Sequence, residues 1–150
     1  MEDFALWLLA FAIILHTIAE AWLPEYQRVK PNWQAALFSR QLFLDNLPIF
    51  IAVLIIPCLG WRFPIISGIL PAIGISHPIL DHMGLSYQTK ALRPGSLTGI
   101  FLMLPISLWI YLIHFRHPLF SLPELLISSL LGLGISLGLY WLVIQELKKV

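Results

Sequence analysis

The sequence predicts an all-α, polytopic transmembrane bundle of about five helices, with the N-terminus outside and the C-terminus cytoplasmic. Three observations carry this. Hydrophobic residues make up 59% of the 150 residues and charged residues only 11%, whereas soluble domains are roughly a quarter charged. Five apolar stretches each approach the ~20 residues that a helix needs to cross ~30 Å of hydrocarbon. Lys and Arg are distributed unevenly among the segments between them.

The first stretch covers about residues 3–23 and stops at Pro24. Its start, Met1-Glu2-Asp3, has no basic region, and no small-residue cleavage site follows, so it reads as a span rather than a cleavable signal. The second stretch covers 42–59, with Gly60-Trp61 as its turn, and the third covers 61–80. The fourth, 97–115, follows the breaker Arg93-Pro94-Gly95. The fifth, 122–144, carries Pro123 in its first turn, where proline is tolerated. All are too long for strands and lack the alternation of a lipid-facing barrel. A single transmembrane domain over 1–150 is expected.

Orientation follows from the cations. With the N-terminus outside, Arg28, Lys30, Arg40, Lys90, Arg93, Lys148 and Lys149 fall inside and only Arg62 and Arg116 outside, seven against two. The positive-inside rule selects that topology. Trp22, Trp33, Trp61 and Trp141 sit near the expected interfaces. Residues 31–40 are expected to form a short interfacial helix, with Arg28, Lys30 and Arg40 available to anionic headgroups. Cys58 is the only cysteine, which excludes an internal disulfide. No basic run tracks a phosphate backbone, so the expected partner is the lipid bilayer and not nucleic acid.

Once orientation is set, each polar residue acquires a depth. His16 and Glu20, four apart on the first helix, share a face near its cytoplasmic end. His77 and Asp81 repeat that spacing on the third helix, with His82 adjacent. Asp45 and Asn46 open the second helix, and Arg93 precedes the fourth. All eight converge on one layer. His114 and His117 fall at the other face and are left out of the site. Histidines and carboxylates within a span are costly, which makes this layer the candidate site. Pro64, Pro71 and Pro78 recur every seven residues along the third helix. Pro71 and Pro78 free the carbonyls of Ser67 and Gly74, compatible either with a wet cavity near His77 or with a packed kink. Ser128, Gly132 and Ser136, with the Gly134/Gly138 pair, give the fifth helix a small-residue surface for close packing, within the chain or in a homodimer.

The chemistry these residues suit is a divalent metal site, zinc before iron, drawn from His16, Glu20, His77, Asp81 and His82. One assignment takes His16, His77 and Asp81 as ligands with Glu20 as base on a metal-bound water; Glu20 as ligand with Asp81 as base is equally compatible. Metal-free acid-base catalysis by Glu20 or Asp81 remains open. Arg93 is a candidate for a phosphate or carboxylate headgroup, though it also reads as a positive-inside arginine. Asp45 and Asn46 are candidates for orienting a ligand, and also for capping the second helix. A carboxylate di-iron site would need about four Glu and two His, and no Gly-x-Ser-x-Gly or phosphate loop is present. The substrate expected from the site's depth is a membrane lipid or isoprenoid-like molecule. The alternative is a small proton- or ion-coupled transporter, or an assembly subunit of a larger membrane complex.

The stretch His16-Thr17-Ile18-Ala19-Glu20 in an apolar helix resembles the signature of the HXXEE-domain membrane proteins, with Ala19 in place of the first glutamate. His77, then Pro94-Gly95-x-x-Thr98, then Pro105 is similar to that family's later pattern. The resemblance covers about residues 5–115. It implies that the polar layer is a site without naming a reaction.

Overall fold

The helices form where apolar runs are long enough for their backbone groups to be satisfied internally, the condition that any lipid-exposed segment must meet. The computed structural model describes residues 2–28 and 40–147, with side chains over 2–22 and 44–145. Helix α1 is Glu2–Arg28, α2 is Arg40–Leu59, α3 is Pro64–Thr89, α4 is Ser96–Arg116 and α5 is Leu122–Leu147. The described residues contain no strand. Five of these helices are long and apolar enough to cross a membrane. The expected interfacial helix at 31–40, with Lys30, Trp33 and the side chains of Arg28 and Arg40, lies outside the described residues, as do Lys148 and Lys149.

Several boundaries differ from expectation. Helix α1 continues past Pro24 to Arg28. Gly60–Arg62 forms a 3-10 turn, with Gly60 at φ 58, and α3 starts at Pro64, where a proline suits the first turn. The larger difference is at the other end of α3, which runs nine residues beyond Leu80 to Thr89. From Pro78 to Leu85 it winds as a π-helix. Pro78 cannot donate to the carbonyl of Gly74, and the α register gives way there. A second π segment, Gly99–Met103, lies in α4 just before Pro105. The two π segments pack against each other.

Helix α1 is the hub. Leu6, Leu9, Ala10 and Ile13 join Val53 of α2, Leu70 of α3, and Met103 and Ile110 of α4 in one buried core. Outward residues such as Phe11, Leu54, Phe101, Leu112 and Leu130 are exposed and apolar, a surface that marks contact with a membrane or a partner.

Helices α3 and α5 approach closely through small residues. A Cβ on Gly68 would lie 2.6 Å from Ser128 Oγ. One on Gly132 would run into Ala72 and stand 3.1 Å from the backbone of Ile69 and Ile73. Ser76 and Ser136 hydrogen-bond at 2.7 Å. The stripe Ser128, Gly132, Ser136 therefore serves a contact within the chain. Gly134 and Gly138 meet nothing within 4 Å among the described residues. Helices α2 and α5, by contrast, make no extensive contact with one another among the described residues.

Gly132→Ala is expected to destabilise the bundle by about 1–3 kcal/mol, the usual range for overpacking. Gly134→Ala should be neutral or slightly stabilising, because alanine is the better helix former. Thermal unfolding of both variants in detergent checks this, and equal effects would disprove the close α3–α5 approach.

Candidate metal centre

His16 and Glu20 are four residues apart on α1, so both face the interior of the bundle. His77 and His82 are five apart on α3. On an α-helix they would diverge, but the i→i+5 winding from Pro78 aligns them on one face. Asp81, four residues after His77, lines the same cavity as His77 but is not one of the four clustered donors. Asp81 meets Arg93 instead, with Nε to Oδ1 at 3.0 Å. The N–H is not aimed at the oxygen, so the contact is an ion pair by proximity and not a hydrogen bond. Arg93 also reaches Glu20, with Nη2 to Oε1 at 3.9 Å.

The three imidazoles stand nearly perpendicular to one another. Ring centroids are 4.6 Å apart for His16–His82, 5.0 Å for His77–His82 and 5.3 Å for His16–His77, with interplanar angles of 87°, 90° and 81°. His16 Nδ1 lies 3.2 Å from the Gly95 carbonyl and 3.1 Å from Thr98 Oγ1, and the Thr98 hydroxyl donates to that same carbonyl at 2.9 Å. A carbonyl only accepts, so His16 carries its proton on Nδ1 and turns the lone pair of Nε2 into the cluster. A backbone carbonyl holding the far nitrogen is the usual support of a metal-ligating histidine.

The donor spacing fits an ion. His16 Nε2 lies 3.1 Å from His82 Nε2 and 3.4 Å from Glu20 Oε2, and His77 Nε2 is 3.7 Å from that oxygen. One donor atom from each of His16, Glu20, His77 and His82 lies within 4.8 Å of all the others. A tetrahedral ion with metal–nitrogen distances of about 2.0–2.1 Å places its ligands about 3.3 Å apart. These four residues could hold a metal ion. Nδ1 of His77 and of His82 is buried and makes no hydrogen bond among the described residues.

Two glycines close the site. Gly95 sits at φ 78, a conformation that glycine adopts without strain. A Cβ there would lie 3.0 Å from His16 Cε1 and 3.1 Å from Glu20 Cβ. One on Gly99 would lie 3.3 Å from His82 Cδ2. The loop before α4 thus lies directly over His16.

A cavity of about 510 Å³ adjoins the cluster, within the range of small-molecule sites. His16, Glu20, His77, Asp81 and Asn46 line its polar end, and most of the remainder is Ile, Leu, Val and Ala. Asp45 is exposed and does not line the cavity; nor does Arg93. The polar layer read from the sequence therefore divides into a histidine–glutamate cluster, an Asp81–Arg93 pair beside it, and Asn46 across the cavity. Thr98, Gly95 and Gly99 are the partners that residue-type reasoning did not supply, although the Pro-Gly-x-x-Thr spacing held the signal. His114 lies at the opposite end of the bundle. There it accepts the Leu119 N–H at 3.0 Å and stacks on Phe120 at 4.1 Å, a structural role.

Residues 7–110, which contain every member of the cluster, match the family described as "Protein of unknown function with HXXEE motif". The chain is also 29% identical to the uncharacterized protein YrkK of Bacillus subtilis (strain 168) over 155 residues, covering 93% of each chain. No solved structure matches it. Of the motif's two glutamates this chain keeps the second, Glu20, the one within 3.4 Å of His16. The chain belongs to the HXXEE family.

Proposed function

We propose that this protein is an integral membrane enzyme whose His16, His77 and His82 hold one divalent ion, zinc before iron, with Glu20 as the acid-base group. Its substrate is a membrane lipid or isoprenoid-like molecule. The observation that carries the reading is the convergence of four donor atoms from two helices, with His16 fixed in the ligating tautomer. The exposed apolar surface and the five long apolar helices support membrane insertion. Lys90 and Arg93 flank the cluster end while Arg62 and Arg116 lie at the other, which supports a cytoplasmic site.

Roles follow from position. His82 is fully buried and lies behind the cavity, whereas Glu20 is 30% exposed and lines it. Glu20 is therefore the carboxylate placed between the ion's position and a bound substrate. A divalent ion held by these histidines would supply a water acidic enough to ionise near neutral pH. Glu20 is placed to accept a proton there and to return it to the departing group. Asp81 compensates the charge of Arg93 at the rim, in place of the ligand or base role that α spacing suggested, and Asn46 orients the substrate.

A metal-free reading has one observation in its favour. The 3.1 Å separation of His16 Nε2 and His82 Nε2 also suits an imidazole–imidazole hydrogen bond within a proton relay. Transport along such a relay needs a path to the opposite face, and the cavity lining ends at Ile13, Ile56, Ile69 and Ile135, which favours the enzyme.

Metal content of the detergent-purified protein, read by mass spectrometry, is expected to approach one ion per chain. His16→Ala, His77→Ala and His82→Ala should each lose the ion while remaining folded. Asp81→Asn should keep it, and its loss there would restore Asp81 as a ligand. Absence of an ion from wild-type protein after reconstitution with zinc and iron would refute the metal reading.

Thr98→Val removes a hydroxyl beside His16 and should weaken the ion's affinity about 10–100-fold, the usual effect of losing a partner of a ligating histidine. Competition with a chelator of known affinity measures this. Because an ion bound only by the folded chain raises its stability, chelation should lower the melting temperature of wild type and leave His77→Ala unchanged.

A further inference from the structure

Helices α2 and α5 both line the cavity yet make no extensive contact with one another among the described residues. Pro48 and Ala52 on α2, and Ile135 and Leu142 on α5, line the cavity and are exposed. These residues form the two lips of a slot. Leu54 on α2 and Leu130 on α5 are likewise exposed.

The cavity has a direction. Glu20, Ala21, Asn46, Asp81 and Val143 mark one end; Ile13, Ile56, Ile69 and Ile135 mark the other. Helices α1, α2, α3 and α5 each contribute in the same order, polar end to apolar end. From Ile13 to Ala21 is eight residues and from Asn46 to Ile56 is ten, about 12–15 Å at 1.5 Å per residue. That is about half of a ~30 Å hydrocarbon core. The apolar end also falls near the middle of the spans Glu2–Trp22 and Leu122–Gln145. The cavity therefore has the depth of one leaflet.

We propose that the slot between α2 and α5 is a lateral portal that admits one hydrocarbon chain of a lipid from a single leaflet. The chain lies along the cavity with its end at Ile13 and Ile135, and its head beside Glu20 and Asn46. This rests on the reading of the bundle as membrane-spanning, and it assigns the substrate of the histidine cluster as an amphiphile taken directly from the bilayer. The chemistry of the cavity matches that occupant. A water-soluble substrate would leave its apolar two-thirds without a partner, whereas a chain already in the leaflet crosses the slot without passing through water.

The test uses full-length protein in phosphatidylcholine vesicles holding a trace of phospholipid with a diazirine at the end of one acyl chain. Ile13, Leu70 and Met103 line the cavity and are buried, so only a chain inside can label them. Irradiation and peptide mapping are expected to place label on these three as well as on outward Leu54 and Leu130. Ala52→Trp and Leu142→Trp, one on each lip, should each lose the internal label and keep the outward one. Label confined to outward residues would overturn the proposal, as would internal label that survives both substitutions in folded protein. Metal content of the same samples separates the two claims. An ion-loaded protein without internal label defeats the portal alone, and an ion-free protein with internal label defeats the metal centre alone.

Discussion

A polar side chain buried among apolar helices costs several kcal/mol when it has no partner, and His16, Glu20, His77, Asp81, His82 and Arg93 are placed so that their partners are largely one another. Glu20 stands within reach of His16, His77 and Arg93. Arg93 in turn covers Asp81, which is 1% exposed. Removing one member of a buried ion pair typically costs more than the pair contributes, so the cluster behaves as a unit. Much of the surrounding architecture serves this unit: the loop glycines that lie over His16, the Thr98 hydroxyl, and the change of winding in α3 that turns His82 inward.

Much of the fold was legible because hydropathy and length are local properties. Each apolar run is close to a bilayer's thickness, and the helices follow. The layer of polar residues was legible too, since depth along a helix depends only on counting residues from its ends. Rotation about the axis was not. His77 and Asp81 share a face under α spacing, and nothing local in the sequence except Pro78 announces that the following turn is wider. A proline inside a helix admits several outcomes, among them a kink, a break or a π segment, and packing against the Gly99–Met103 segment selects between them. For the same reason the partner of Arg93 could not be read in advance. The small residues of α5 were recognisable as a packing surface, but only the fold shows that α3 occupies it.

The bundle is uneven in how tightly it is held. Helices α1, α3 and α4 enclose the core, and α5 is fastened to α3 through close backbone approach at Gly68 and Gly132. Helix α2 leans on α1 and carries Pro48 and Pro57 within it, each of which removes a backbone hydrogen bond. Of the walls that border the cavity, α2 is thus the looser, and α3, which carries His77 and His82, is the tighter. The proposed reaction would hold its donors on the tighter wall and admit an apolar ligand past the looser one.

The winding of residues 78–85 also bears on inheritance. A π segment differs from an α-helix by one extra residue held within the turn. A substitution at Pro78 that restored the narrower winding with no residue deleted would swing His82 by about 100°, one residue's rotation in an α-helix. The helix would still be apolar and still long enough to span. Its third imidazole would face away from the other two. Possession of the complete donor set is, in this chain, a matter of winding as well as residue identity, and a relative that lacks one residue here keeps its histidine on the shared face only by winding as an α-helix, where a spacing of four replaces the spacing of five.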